Sequence, residues 1–461
     1  MTTSISDTIA AIATPLGSGG VGIVRISGPD AWALAMRVVR LPGRVKIPRP
    51  RVAYQVDVVD PALRGTRIDQ ALLLYMPAPN SYTGEDVVEI QGHGGSLVTN
   101  RVLKTVLAVG GRPAAPGEFT MRAFLNGRMD LAQAEAVADL VVAPTDAALA
   151  AAADQLAGRL STSVGHARRE CLNLMARLEA EIDFAEEDVP RVPAGDIRTS
   201  LDSIDEDLGE MLAGADRGIL QREGFRVVLV GSPNVGKSSL MNALLGTDRA
   251  IVTDVPGTTR DVVEESFNLD GIPVRISDTA GLRITEDPVE SIGVARSRSA
   301  LAAADVAVLV LDGARSLGKV DRDAAAYVVA SGKMAIVILN KCDLPPILTA
   351  QNAALVAGAE VCRASALTSD LGQVRTALRA IIDTAAPGDS LSIVASQRHK
   401  HALQRARTEL AGARQAADEE LPADFIAIGL RGAVNALGEV TGESATEDLL
   451  DAIFSKFCIG K

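Results

Sequence analysis

A chain of 461 residues is long for one domain, and at about 150 residues per domain it divides into roughly three. Apolar residues at 47% are enough for real cores, aromatics at 3% leave those cores to Ala, Val and Leu, and a net charge of −12 argues against non-specific nucleic-acid binding by the whole surface. The cysteines at 171, 342, 362 and 458 form no CxxC pair and no metal-ligand spacing, and there is neither a secretory segment nor an apolar run of about 18 residues, so a cytoplasmic protein with reduced thiols and no membrane association is expected.

Residues 1 to about 125 read as mixed α/β. Thr8 to Thr14 alternates weakly toward a strand. Gly17-Ser-Gly-Gly-Val-Gly22 has the letters of G-x-G-x-x-G, but the strand-like Val21-Gly-Ile-Val-Arg-Ile26 follows it, where a dinucleotide fingerprint must open a helix. A glycine turn joining two strands is the better reading. A helix from Pro29 to about Val39 follows, then a basic stretch with Arg37, Arg40, Arg44, Lys46, Arg49, Arg51, Arg64 and Arg67. That stretch reads equally as a local basic patch or as solvated loop. Ala71–Tyr75 and Val87–Ile90 read as strands, separated by a loop marked by Pro77, Pro79, Asn80 and Gly84. His93 falls in a glycine-rich turn, where backbone bonding or ligand contact are both open, and a helix from Ser96 to Ala108 follows it.

From Met121 to about Glu186 the chain is rich in Ala, Leu, Glu and Arg and reads as mostly helical. Pro190 and Pro193 interrupt it, and residues 196 to 220 read as another helix. A second helical region runs from about Ser396 to Phe457, linked by Pro387-Gly-Asp-Ser390. The simplest architecture is one discontinuous helical domain, 121–220 with 385–461, and a nucleotide domain, 224–384, inserted within it. Two separate small helical domains would each have little core.

The inserted region carries the strongest signal. Phe225-Arg-Val-Val-Leu-Val230 reads as a buried strand, Gly231-Ser-Pro-Asn-Val-Gly-Lys-Ser238 fits the P-loop pattern, and Ser239 to Leu245 is helix-forming. Gly231 and Gly236 let backbone N–H groups face phosphates, and the helix N-terminus adds a positive dipole end. Candidate nucleotide contacts are Asn234, Val235, Gly236, Lys237, Ser238 and Ser239. Lys237 is expected at the β- and γ-phosphates and the Ser238 hydroxyl on Mg2+.

Four further signals follow in the order expected of a GTPase. The loop Thr253, Asp254, Val255, Pro256, Gly257, Thr258, Thr259 offers a threonine, assigned as Thr259, to complete the Mg2+ shell when the γ-phosphate is present. Asp278, Thr279, Ala280 and Gly281 follow a strand; the carboxylate is expected to hold Mg2+ through water and Gly281 to present its N–H to the γ-phosphate. Asn340, Lys341, Cys342 and Asp343 follow Ala335–Leu339, and Asp343 suits guanine N1 and N2, so GTP is favoured over ATP. Ser365, Ala366 and Leu367 would supply a backbone N–H to guanine O6. Leu282 stands where small regulatory GTPases place a water-orienting Gln. Another group must orient the water: Glu290 is the preferred candidate, with Glu286 and Asp287 as rivals on spacing. No arginine finger is assignable, although Arg260 and Arg283 lie in the switch segments.

With these residues in hand, the chain resembles the tRNA modification GTPase family known as MnmE or TrmE. The resemblance spans nearly the whole length, through Ile12–Gly17, Gly20–Gly28, Tyr82–Asp86, Gly92–Gly95, Ala115–Phe119, Arg122–Gly127, Ala134–Leu140, Gly257–Asp261 and the terminal Phe457-Cys-Ile-Gly-Lys461. Composition alone would make that terminus a frayed tail. The resemblance implies an N-terminal domain, 1–120, that binds a tetrahydrofolate derivative (5,10-methylene or 5-formyl) and mediates a homodimer. Its folate contacts map to Arg25, Glu89, Arg128 and Lys461, with Arg128 standing where the family often has Lys. It implies potassium-stimulated GTP hydrolysis, with K+ held by Asn234 and oxygens of Thr253, Val255 and Thr258, supplying the charge of an arginine finger. Glu290 falls at the family's water-orienting position. It also implies a flavin-dependent partner subunit with which a carboxymethylaminomethyl or aminomethyl group is added at C5 of the wobble uridine of certain tRNAs, with Cys458 a candidate thiol or an inert packed residue. The rival reading is a ribosome-assembly GTPase, an rRNA-binding switch; it shares the nucleotide motifs but has no reason to carry the N-terminal 120 residues or the Cys-Ile-Gly-Lys end, and residues 385–461 show no clear GXXG module in a strand–helix context.

Overall fold

The computed structural model describes residues 7–41, 43, 49–183, 191–247, 265–278, 299–387, 393–394 and 396–461. Two compact units emerge: Met1–Ala138 with Leu156–Arg168 and Val434–Lys461, and Asp139–Gln155 with Arg169–Ala433.

The first unit is built on a sheet of β1 (Ile9–Ile12), β2 (Val21–Ser27), β3 (Val39–Arg40), β4 (Tyr54–Asp60), β5 (Thr66–Met76), β6 (Val87–His93) and β7 (Arg112–Pro113), in the order β3-β4-β5-β6-β2-β1-β7. The Gly17–Gly22 segment does join two antiparallel strands, β1 and β2. Alternation in β2 sends Val24 and Ile26 into the core with Ile90 and Val88 of β6, under helices Ala31–Val38 and Ser96–Ala108. The other face of β2 presents Arg25, and the antiparallel register sets Arg25 opposite Glu89. His93 closes β6 and is not a turn residue; its Nδ1 lies 2.7 Å from Asp69 Oδ1, and its N–H donates to Asp69 Oδ2 at 2.8 Å. Gly92 admits this pair, because a Cβ there would strike the Asp69 carboxylate.

Helices Glu118–Leu125 and Glu447–Phe454 and residues 131–138 of helix Leu131–Val142 extend this unit, and Leu131, Ala134, Phe454 and Phe457 share a core. Beneath the first of them lies a buried charge network. Arg122, 2% exposed, donates to Asp7 Oδ1 at 2.5 Å, to Glu118 Oε1 at 2.9 Å and to Glu85 at 3.2 Å. Arg112 binds Asp7 and Glu118 as well. Burial opposes ionisation of Glu118, yet Arg112, the Ala115 N–H and Arg122 hold its carboxyl below the usual range. Arg112 first, against burial, and then Arg122 hold Asp7 low too.

The second unit holds a sheet of β8 (Phe225–Val230), β9 (Glu265–Leu269), β10 (Ile272–Asp278), β11 (Val306–Asp312), β12 (Met334–Asn340) and β13 (Glu360–Arg363), ordered β13-β12-β11-β8-β10-β9. All neighbours run parallel except the β9–β10 hairpin. In β8 the period of two divides the strand between two layers. Val227 and Leu229 enter one core with helices Lys237–Thr247 and Gly372–Ala385. Val228 and Val230 enter the other with helix Lys319–Ala330. A strand covered on both faces reads as a continuous apolar run, as β8 and β11 do.

Helices Ala194–Leu212 and Gln397–Asp418 also belong to this unit, and Arg407 forks onto Asp205 at 2.7 Å through both carboxylate oxygens. The single helix expected over 196–220 is two: the first ends at Leu212, and Ala215–Glu223 starts after Gly214, whose φ of 77° is left-handed.

Arg122→Met strips a buried, fully paired cation from three carboxylates and is expected to destabilise the protein by about 3 kcal/mol or more, read as the urea midpoint at neutral pH. The folded-state values of Asp7 and Glu118 are lowered, so their stabilisation is complete above the ordinary carboxylate range of about 4 and drains as pH falls through the depressed values. The acid loss of stability below that range is expected to be shallower in Arg122→Met than in the unsubstituted chain.

Candidate functional site

Parallel β8, β10, β11 and β12 all deliver their carboxyl ends to one edge of the sheet, where open α/β sheets bind ligands. After β8 the loop 231–236 turns into helix Lys237–Thr247. Asn234 (φ 63°) and Gly236 (φ 95°) are both left-handed, the backbone alternation from which anion-binding turns are built. Gly236 also makes room: a Cβ on it would strike the Asn340 amide nitrogen.

Lys237 lies over the loop, donating from Nζ to Gly231 O at 2.9 Å and Ser232 O at 3.0 Å. Burial pulls its pKa below the ordinary lysine value, with Asp278 opposing. An anionic phosphate at this place would relieve that cost. Ser238 Oγ donates to Asp278 Oδ2 at 2.9 Å, while the buried Asp278 Oδ1 has no hydrogen-bond partner among the described residues. A hydroxyl beside an ionisable carboxylate with an unspent lone pair is a donor set that fits a hard divalent cation.

The far side of the cleft is pinned by Asn340, 2% exposed. Its Nδ2 donates to Val235 O at 2.8 Å and its Oδ1 accepts from Ala366 N at 3.2 Å. Lys341, also left-handed at φ 65°, donates from Nζ to Asn234 O at 3.1 Å and to Asp312 Oδ2 at 2.6 Å. Asp343 is exposed and accepts from the buried Ser365 hydroxyl at 2.5 Å, and Leu367 stands 83% exposed beside it. The structure therefore brings Asn234, Val235, Gly236, Lys237, Ser238, Ser239, Asp278, Asn340, Lys341, Asp343, Ser365, Ala366 and Leu367 to one sheet edge. Thr253, Asp254, Val255, Pro256, Gly257, Thr258, Thr259, Arg260, Thr279, Ala280, Gly281, Leu282, Arg283, Glu286, Asp287 and Glu290 lie outside the described residues. Asp312 was not singled out in the sequence; the apolar run Val306–Leu311 ending in Asp312-Gly313 was the available signal.

A second cluster lies in the first unit. Arg25 donates to Glu89 Oε1 at 2.9 Å and to Gly460 O at 3.4 Å, and its guanidinium lies 5.3 Å from the Tyr82 ring centre and 5.7 Å from that of Phe119. Gln91 holds the other Glu89 oxygen at 2.9 Å. The chain end folds in here: Gly460 is left-handed (φ 96°), and Phe119 N donates to Lys461 O at 3.2 Å. Burial first, then Arg25, lowers the Lys461 amine below the ordinary lysine value. Two cations crowded at a half-buried place suit an anionic ligand. Arg128 donates to Ser81 O at 3.1 Å, beside Tyr82. Cys458 is a free, partly buried thiol whose carbonyl accepts from Gly117 N and Lys461 N. Tyr82 and Phe119, which flank Arg25, were visible in sequence only as parts of longer motifs.

Glycine loop, buried lysine, Asp278 and the Asn340–Asp343–Ser365 corner at one parallel sheet edge define a P-loop nucleotide-binding domain of the GTPase class. The family model described as the MnmE helical domain matches residues 131–458, and that of the GTP-binding protein TrmE N-terminus matches residues 8–128. The tRNA modification GTPase MnmE of Chloroflexus aurantiacus is 47% identical over 99% of this chain and 100% of its own. Its counterparts in Symbiobacterium thermophilum (48% identical, 99% of each chain) and Geobacter sulfurreducens (45%, 99% and 100%) are similarly close. The chain belongs to the MnmE family of tRNA modification GTPases. Among the described residues no helix is long and apolar enough to cross a membrane.

Asn340→Ala removes two buried hydrogen bonds worth about 1 kcal/mol each, so the affinity for a fluorescent GDP analogue is expected to fall about thirtyfold. Unchanged affinity in a titration would show that this pin does not shape the site.

Proposed function

We propose that this protein is a GTP-hydrolysing switch for tRNA wobble-uridine modification. The observation that carries the reading is the meeting of Lys237, Asp278 and the Asn340–Asp343–Ser365 corner at one sheet edge, in a chain that also holds the Arg25–Glu89–Lys461 cluster. Lys237 would leave the carbonyls of Gly231 and Ser232 for the β- and γ-phosphates, where its charge stabilises the transition state. Asp343, its outer face open, would accept guanine N1–H and N2–H; adenine would leave that carboxylate unpaired. Ser238 and Asp278, with Thr259, would hold Mg2+, which supplies charge neutralisation on the phosphate oxygens. Asn234, with oxygens of Thr253, Val255 and Thr258, is the proposed K+ site. Glu290 would orient the water in place of the Gln that Leu282 replaces. The remaining candidates, Gly236 and Ser239 among them, would line the nucleotide through backbone groups.

The functional division we assign is 1–120 for folate binding and homodimerisation, 121–220 with 385–461 for the helical domain, and 224–384 for GTP. Arg25, Arg128 and Lys461 would meet the glutamate carboxylates of a tetrahydrofolate derivative and Glu89 its pterin N–H groups; the crowded cations at Arg25 and Lys461 support this. That cofactor supplies the one-carbon unit. A flavin-dependent partner subunit would complete the chemistry at uridine C5, with Cys458 a candidate thiol, in the cytoplasm. GTP cleavage does not itself alter a uridine, so hydrolysis is assigned to a conformational cycle.

GTP hydrolysis in K+ against Na+ buffer at matched ionic strength tests the hydrolytic centre. Faster turnover in K+, lost in Glu290→Ala while GDP still binds, is expected. Equal rates in both salts would remove the K+ site at Asn234.

A further inference from the structure

Behind the phosphate loop runs a chain of polar contacts that the nucleotide motifs do not include. Ser232, 5% exposed, donates its hydroxyl to Asp321 Oδ1 at 2.5 Å. Asp321, 2% exposed, sits in the first turn of helix Lys319–Ala330. Its carboxylate also takes the Gly318 N–H at 2.8 Å and both terminal nitrogens of Arg315 at 2.8 Å. Arg315 reaches on to Asp312 at 3.9 Å. Asp312 takes Lys341 at 2.6 Å, and Lys341 donates to Asn234 O at 3.1 Å. The path therefore leaves the phosphate loop at Ser232 and returns to it at Asn234.

Capping a helix needs only the Gly318 N–H on an acidic side chain. It needs neither a serine from the phosphate loop nor nearly complete burial, so capping does not account for the whole arrangement. A buried carboxylate surrounded by donors is held in one geometry, because each bond broken leaves a lone pair unsatisfied in a low dielectric. Ser232 is fixed at two points: its carbonyl by Lys237 and its hydroxyl by Asp321. Once Lys237 turns to phosphate, the carbonyl loses that partner and the hydroxyl bond remains.

We propose that Asp321 is a positioning residue for the phosphate loop, acting through Ser232, and that Arg315 joins it to the Asp312–Lys341 arm. The segment 312–318 thereby sets how fast bound nucleotide leaves. This rests on the reading of the loop as a guanine-nucleotide site.

The test uses the full chain and the release rate of a fluorescent GDP analogue, with Ser232→Ala, Asp321→Asn and the double variant. Ser232→Ala is expected to speed release about tenfold, the loss of one hydrogen bond to a charged group, in a chain whose circular dichroism spectrum still matches that of the parent. The double variant is expected to release no faster than Asp321→Asn, because the two act as one unit. Should Asp321→Asn fail to fold, Arg315→Ala takes its place in the cycle. An unchanged rate in Ser232→Ala, or effects that add in the double variant, overturns the proposal. Failure of the unsubstituted chain to bind the analogue would instead overturn the nucleotide-site reading.

Discussion

Much of the second unit hangs on the amide of Asn340. It ends β12, so its backbone belongs to the sheet, while its side chain spans the gap to Val235 in the phosphate loop and to Ala366 beyond β13. Both of its polar ends are used in a buried setting, where an unmade hydrogen bond costs more than a made one gains. The two walls of the cleft are thereby fixed at one spacing, and Gly236 is required because a side chain there would displace the same amide. Parallel strand register does the rest. β10 and β12 end beside their neighbours at Asp278 and Asn340, so an acidic group and the Asn340–Asp343–Ser365 corner arrive at one edge without any long-range search.

The first unit obeys a different constraint. Antiparallel pairing of β2 with β6 sets Arg25 across from Glu89 on the face away from the apolar core, and aromatic rings at Tyr82 and Phe119 flank the guanidinium. The last residues of the chain then close over this place. Gly460 packs where a Cβ would strike Ile12 O, and Phe454 and Phe457 anchor the approach in the core with Leu131 and Ala134. Residues from the two ends of the sequence thus make one polar cluster, and helix Glu118–Leu125, which carries Phe119, is itself tied to Asp7 through Arg122.

The nucleotide edge was legible in the sequence because its determinants are local: a β-branched run, a glycine loop, a helix-forming stretch, and short motifs at strand ends. The hairpin at Gly17–Gly22 was legible for the same reason, since a strand and not a helix follows it. What depends on distant partners was not. Asp7 and Arg122 are 115 residues apart, and neither position announces the other. Composition made the terminus a frayed tail, and only the family resemblance pointed to a role for it. The glycine neighbours of His93 suggest a turn, whereas one of them, Gly92, gives the Asp69 carboxylate room beside a strand. Gly214 stops a helix that propensity would continue, and β11, a strand as apolar as β8, carried no motif to draw attention to Asp312.

Wobble-uridine nucleosides report directly on whether GTP turnover at this edge serves tRNA modification. Transfer RNA from cells whose only copy of the gene carries Lys237→Ala would be digested and compared by mass spectrometry with tRNA from cells carrying the unsubstituted gene. The C5-modified uridine is expected to be lost while the variant protein accumulates to a normal level. Full modification with a hydrolysis-inactive variant would contradict this expectation.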